Sequence, residues 1–216
     1  MNIILFGAPG AGKGTQADQI ENKFKLFKIS TGELLRKEIQ NNTDLGIKIK
    51  SKIDKGELVS DEITNNLIVN VLSNENYSNR IIFDGYPRNL NQAKNLNLLL
   101  NKYNQKISCV LNLEADKESI IKRILGRIVC TNCGLTFNKF FNLPENKDHK
   151  CGSGYLKARS DDTKETIVNR YETYLKETLP ILEYYEGQKI LHKIDGNRKI
   201  NEINQEICGI ITSLEA

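Results

Sequence analysis

The stretch Gly7-Ala8-Pro9-Gly10-Ala11-Gly12-Lys13-Gly14-Thr15 sets glycines, one lysine and one hydroxyl at a spacing suited to holding phosphate. Glycine lets the backbone curl until successive N–H groups face one anion. Lys13 adds a full charge for β- and γ-phosphates, and Thr15 adds a hydroxyl for the accompanying metal ion. The pattern is not the strict G-x-x-x-x-G-K-[ST], because Gly14 separates the lysine from the hydroxyl. A glycine-rich turn that binds nothing would not need the flanks found here. The apolar run Ile3-Ile4-Leu5-Phe6 precedes the loop and predicts a buried strand, and Gln16-Ala17-Asp18-Gln19-Ile20 follows it and predicts the first turns of a helix. A helix start brings a partial positive charge to the same place.

A second group, Phe83-Asp84-Gly85-Tyr86-Pro87-Arg88 with Gln92, closes another apolar run. Alone it could be a strand-ending turn, since Asp, Gly and Pro form turns readily. Beside a phosphate loop it predicts part of the same site. Arginine suits such a site because its planar fork meets phosphate oxygens bidentately and stays protonated.

These groups need a scaffold that brings them together, and the chain predicts one. Strands are expected at Ile3 to Phe6, Arg80 to Asp84, Ile107 to Leu113 and Lys189 to Ile194, with a short one near Phe27 to Ile29. Helices are expected at about 13–24, 61–73, 90–101, 116–126, 164–186 and 199–213, with Pro180 kinking or dividing the long one. Such alternation means an α/β fold: a central parallel sheet with helices on both faces. Ligands bind such sheets beyond the carboxyl ends of the strands, where the glycine loop and Asp84 would both lie. Residues 30–59 are polar and helical and open on Ser30-Thr31-Gly32-Glu33, a capping-box pattern. Residues 127–162 hold paired cysteines, Pro144 and several glycines. Both segments predict small lobes inserted at the sheet edge.

Taken together these elements resemble the adenylate kinase family. The resemblance is carried by the loop at 7–15, Ser30-Thr31-Gly32 with Arg36, Phe83 to Arg88 with Gln92, Arg123 with Gly126-Arg127, Arg159 with Asp161-Asp162, and Arg170. It runs from Met1 to the Asp195-Gly196 turn. It implies a three-layer P-loop core (1–29, 60–126 and 163–216), a nucleoside-monophosphate lobe (30–59) and a lid (127–162). It also implies the reaction ATP + AMP ⇌ 2 ADP with Mg²⁺. Phosphoryl transfer asks for alignment and charge neutralisation and little covalent work, so no general base is expected. The resemblance assigns catalysis to Lys13, Arg88, Arg123, Arg159 and Arg170. It implies an ATP side of Gly10, Ala11, Gly12, Lys13, Gly14, Thr15, Arg123, Arg127, Thr136, Phe137 and the main chain near Arg198. The AMP side takes Thr31, Arg36, the backbone of Glu57-Leu58-Val59, Gly85, Tyr86, Pro87, Arg88 and Gln92, with Arg159 and Arg170 reaching between the two. Asp84 would hold Mg²⁺ through water, and the Gln92 amide would read the adenine edge by paired hydrogen bonds.

The lid pattern Cys130-Thr131-Asn132-Cys133 is half of a tetrahedral zinc site. The second half departs from the family's usual repeat, since only Cys151 is present there. Counting back from Arg159 makes Cys151 the last ligand and Asp148 the preceding one. His149 is the adjacent competitor and the better zinc donor. Such a zinc would be structural, holding together a lobe too short to bury a core.

A net charge of +4 over 216 residues fits a protein handling small polyanions. Two alternatives stand beside this reading: a zinc-knuckle nucleic-acid binder stacking bases on Phe137, Phe140 and Phe141, and a kinase for UMP, CMP or GMP, against which Thr31 and Gln92 lean toward AMP. The charge is too small to argue for nucleic acid, no apolar run is long enough for a membrane span, and the start of the chain has no signal-peptide pattern. Five cysteines, an odd number, argue against a disulfide framework. A cytosolic monomer is the expectation.

Overall fold

The structure, a computed structural model, describes residues 1–144 and 149–215. Its centre is the run of apolar residues behind the glycine loop. In β1 (Asn2–Gly7) Ile4 and Phe6 face one side and Ile3 and Leu5 the other, and all are buried. A strand buried on both faces suits a parallel sheet covered by helices. Five parallel strands run in the order β2 (Phe27–Ser30), β3 (Ile81–Asp84), β1, β4 (Ile107–Glu114) and β8 (Leu191–Asp195).

One face carries Ile4, Phe6, Ile81, Phe83 and Val110 against α4 (Asp61–Leu72), α5 (Leu90–Lys102) and α8 (Ile181–Glu186). The other carries Ile3, Leu5, Ile82, Cys109 and Leu111 against α1 (Lys13–Phe24) and α9 (Ile200–Glu215). Burial pushes the Cys109 thiol up to about 12, which makes it an inert core group.

Two further pieces interrupt the sheet. After β2 come α2 (Thr31–Gln40) and α3 (Asp44–Lys55), packed so closely that a Cβ on Gly46 would lie 2.2 Å from the Glu38 carbonyl oxygen. After α6 (Lys117–Leu125) comes a small antiparallel sheet in the order β6 (Thr136–Asn138), β5 (Arg127–Cys130), β7 (Leu156–Lys157). α7 (Lys164–Thr173) returns the chain to the core and accepts α3: Thr166 Oγ1 donates to the Asp54 carbonyl at 3.1 Å, and Asn169 Nδ2 to that of Lys55 at 3.2 Å.

The long run expected at 164–186 is divided at Pro180. Lacking an N–H, proline cannot continue the ladder; the chain widens into a π turn at Tyr174–Thr178 and restarts as α8. One expectation is corrected. Ser30 stands at the N-cap of α2, but its side chain makes no cap bond. The Glu33 carboxylate is instead drawn to Lys28 Nζ at 3.4 Å, so the capping box does not form. Strand β8 starts at Leu191 instead of Lys189, because Lys189 turns the chain at φ 59°.

Candidate functional site

The register β2–β3–β1 places three chain reversals at one end of the sheet. Ser30 pairs with Asp84, and Asp84 pairs with Leu5, two residues before the glycine loop begins. The loop, the start of α2 and the turn after β3 therefore share one edge. Gly12, the N-cap of α1, has φ 104°, which side chains rarely adopt. No side chain caps α1, and no acidic residue lies in its first turn, so its leading N–H groups are open to an anion.

The edge opens into a cleft of about 820 Å³. Its walls include Gly10 to Thr15, Thr31, Arg36, Glu57-Leu58-Val59, Asp84, Gly85, Pro87, Arg88, Gln92, Arg123, Arg127, Thr136, Phe137, Arg159, Arg170 and Arg198. Nearly all the residues expected in a nucleotide site thus converge on it from separate segments. Tyr86 is the exception. Its ring turns into the core at 1% exposure, and its hydroxyl donates to Asn65 Oδ1 at 2.7 Å beneath the cleft floor.

The cleft is crowded with positive charge. Lys13 Nζ donates to the carbonyls of Gly7 at 2.7 Å and Ala8 at 3.0 Å. Burial brings it down to about 8, against the pull of Asp84. Burial also lowers Arg88 to about 10, with Arg170 adding to the effect, and Arg159 to about 9, with Arg127 and Arg36 beside it. Like charges out of water disfavour protonation, and an incoming anion relieves exactly that cost. Arg123 bonds the carbonyls of Ala11 at 3.3 Å and Gly196 at 2.8 Å, tying α6 to the glycine loop.

Sequence reasoning quoted Asp161-Asp162 but assigned them no role. They are the counter-ions of the cluster. Arg127 forks onto Asp162, with Nε at 2.7 Å. Arg170 bonds both aspartates, and Arg36 lies 3.8 Å from Asp161. The two carboxylates are 3% and 4% exposed, and despite its burial Asp161 is held below the usual carboxylate range by Arg170, Arg36 and Arg159. In the sequence their adjacency shortly before α7 is the only signal of this role.

In the small sheet, one ligand atom each from Cys130, Cys133, His149 and Cys151 lie within 4.8 Å of one another. The His149 Nε2 atom is buried without a hydrogen-bond partner among the described residues. An orphaned buried nitrogen beside three thiols matches the donor chemistry of a four-ligand metal site and could hold an ion. Asp148, favoured by spacing, lies outside the described residues. Phe137 links this cluster to the cleft: its ring packs edge-on against His149 at 5.1 Å while it lines the cleft wall.

A parallel sheet with a glycine loop before its first helix, and a cation-lined cleft between two inserted pieces, defines a nucleotide-handling phosphotransferase of the P-loop class. The family model for adenylate kinase matches residues 5–190. The chain is 48% identical to an adenylate kinase of Pelagibacter ubique over 98% of this chain and 99% of that one. It is 41% identical to one of Staphylococcus epidermidis over 99% and 100%, and 43% identical to one of Methanosarcina barkeri over 98% of each. The chain belongs to the adenylate kinase family, and it is an enzyme of that family's kind, an ATP:AMP phosphotransferase. Neither a nucleic-acid binder nor a kinase for another monophosphate is favoured. Among the described residues no helix is long and apolar enough to cross a membrane.

Proposed function

We infer that reversible transfer of the γ-phosphoryl of ATP to AMP, giving two ADP, takes place in this cleft. The observation that carries this is the convergence of Lys13, Arg36, Arg88, Arg123, Arg127, Arg159 and Arg170 on one cavity beside the glycine loop. Two nucleotides brought together repel through their phosphates, and fixed cations cancel that repulsion without reorganising.

ATP lies on Gly10 to Thr15, with Arg123 and Arg127 on its phosphates and Thr136, Phe137 and the main chain near Arg198 around its base. AMP lies on Thr31, Arg36, the backbone of Glu57 to Val59, Gly85, Pro87 and Arg88, with Gln92 at its base. Arg159 and Arg170 bridge the two. Asp84, inside the cleft and next to Lys13, offers the hard oxygen that Mg²⁺ prefers, and Thr15 offers a second. Mg²⁺ would supply charge neutralisation on the β- and γ-phosphates. Zinc would join Cys130, Cys133, His149 and Cys151 and fix the fold of the lid. The working parts are a core, an acceptor lobe at 30–59 and a lid at 127–162. A monomer is the simplest form of this reading, and the free thiols suit a reducing cytoplasm.

A coupled assay with Mg²⁺-ATP and a panel of monophosphates tests the assignment. ADP should form fastest with AMP. Properly folded protein that makes no ADP from ATP and AMP would overturn it.

A further inference from the structure

The Gln92 amide is held at both ends. Its Nε2 donates to Asp61 Oδ1 at 2.7 Å and to Thr64 Oγ1 at 3.3 Å, while its Oε1 accepts from the Arg88 backbone N–H at 2.8 Å. Asn89 closes the frame: its Oδ1 accepts from the Gln92 backbone N–H at 2.8 Å, and its Nδ2 donates to the same Asp61 oxygen at 2.9 Å. Gln92 and Thr64 line the cleft; Asp61 is set back behind them.

Both anchors have one polarity. An ionised carboxylate only accepts, and a backbone N–H only donates. Turning the amide over would set Nε2 against the Arg88 N–H and Oε1 against the carboxylate. Two hydrogen bonds would become two repulsive contacts around a side chain that is 2% exposed.

This matters because a glutamine free to turn is an ambiguous reader. A 6-aminopurine presents an acceptor at N1 and a donor at its amino group. A 6-oxopurine presents the reverse, a donor at N1 and an acceptor at its carbonyl. An unrestrained amide matches either by rotating. The held amide keeps one N–H and one lone pair in fixed places. The bond to Thr64 is the longer of the two that Nε2 makes, and the one a base acceptor replaces.

We propose that Asp61 is a specificity-determining positioning residue: by holding the Gln92 amide against the Arg88 N–H, it makes the acceptor site take a 6-aminopurine monophosphate and reject a 6-oxopurine one. This rests on Gln92 meeting the acceptor base. The acid also opens α4, so a purely structural role at a helix start is the competing account.

Steady-state kinetics with Mg²⁺-ATP and either AMP or IMP separate the two, in the wild type, Asp61→Asn, Asp61→Ala and Gln92→Ala, each checked by thermal melting. The wild type should favour AMP in kcat/KM by roughly 10- to 100-fold or more, the range of one paired base-edge contact. Both Asp61 variants should raise the IMP-to-AMP ratio roughly tenfold, through KM, with kcat on AMP changed by less than about twofold. An unchanged ratio in natively melting Asp61 variants would make the residue a helix-start acid only. Should the variants misfold, the wild-type comparison still decides: equal use of IMP and AMP overturns the lock. If Gln92→Ala leaves KM for AMP untouched, the placement of the base fails and takes this proposal with it. If that KM rises while the Asp61 variants hold the ratio, the lock alone is wrong.

Discussion

Lys13 shows what burial does to a cation that lines the cleft. Burial brings it down to about 8, so in the free enzyme its charge is fully present well below that pH and lost as pH rises through it. Bound phosphates would favour the protonated form. The expected outcome is kcat/KM for ATP falling above pH about 8, with kcat holding to higher pH; parallel profiles would dissociate Lys13 from ATP capture. Arg88 is the other deeply placed cation, with Nε donating to the Gly85 carbonyl at 2.8 Å and its main-chain carbonyl accepting from Thr178 Oγ1 at 2.8 Å. Arg88→Ala should lower kcat by roughly 10²–10³-fold, the loss expected when one preorganised charge partner of the transition state is removed. An effect confined to KM for AMP would make Arg88 a binding residue only.

At the scale of elements, the antiparallel sheet of β5, β6 and β7 is the part least able to stand unaided. Its strands span two to four residues, and Phe140, Phe141 and Leu143 are exposed. Metal analysis of protein purified without chelator should find one zinc per chain, and stripping it should lower the melting temperature by on the order of 5–10 °C. Protein lacking zinc that melts no lower after chelator treatment would leave the four side chains as ordinary polar packing. The core elements were legible in the sequence because each is local. A strand buried on both faces reads as an unbroken apolar run, and a glycine loop must follow it closely. The arginines were legible by type and order. What was not legible depended on distant partners. The Tyr86 hydroxyl reaches Asn65 in α4, Ser30 makes no cap bond while the Glu33 carboxylate turns to Lys28, and the acids at 161 and 162 acquired meaning only once three arginines from separate segments closed on them.

At the scale of the whole molecule, the cleft is bounded by two appended pieces, and α7 serves both. It carries Arg170 toward the cleft, receives α3 through Thr166 and Asn169, and follows directly on the lid. Closing on substrates would exclude the water that could otherwise accept the phosphoryl group. A molecule joining two adenosines through a polyphosphate should bind both halves at once and raise the melting temperature more than saturating ATP or AMP alone. Equal shifts for all three would mean the two halves are not filled together.

The aspartate pair beneath the arginines carries one last consequence. Nucleotide entry would be an exchange of ions, with phosphate oxygens taking over guanidinium contacts that an internal carboxylate already satisfies in part. Fewer dissolved anions are then expelled at each capture than the number of arginines would suggest. The affinity of this enzyme for its substrates should therefore fade only gently as ionic strength climbs.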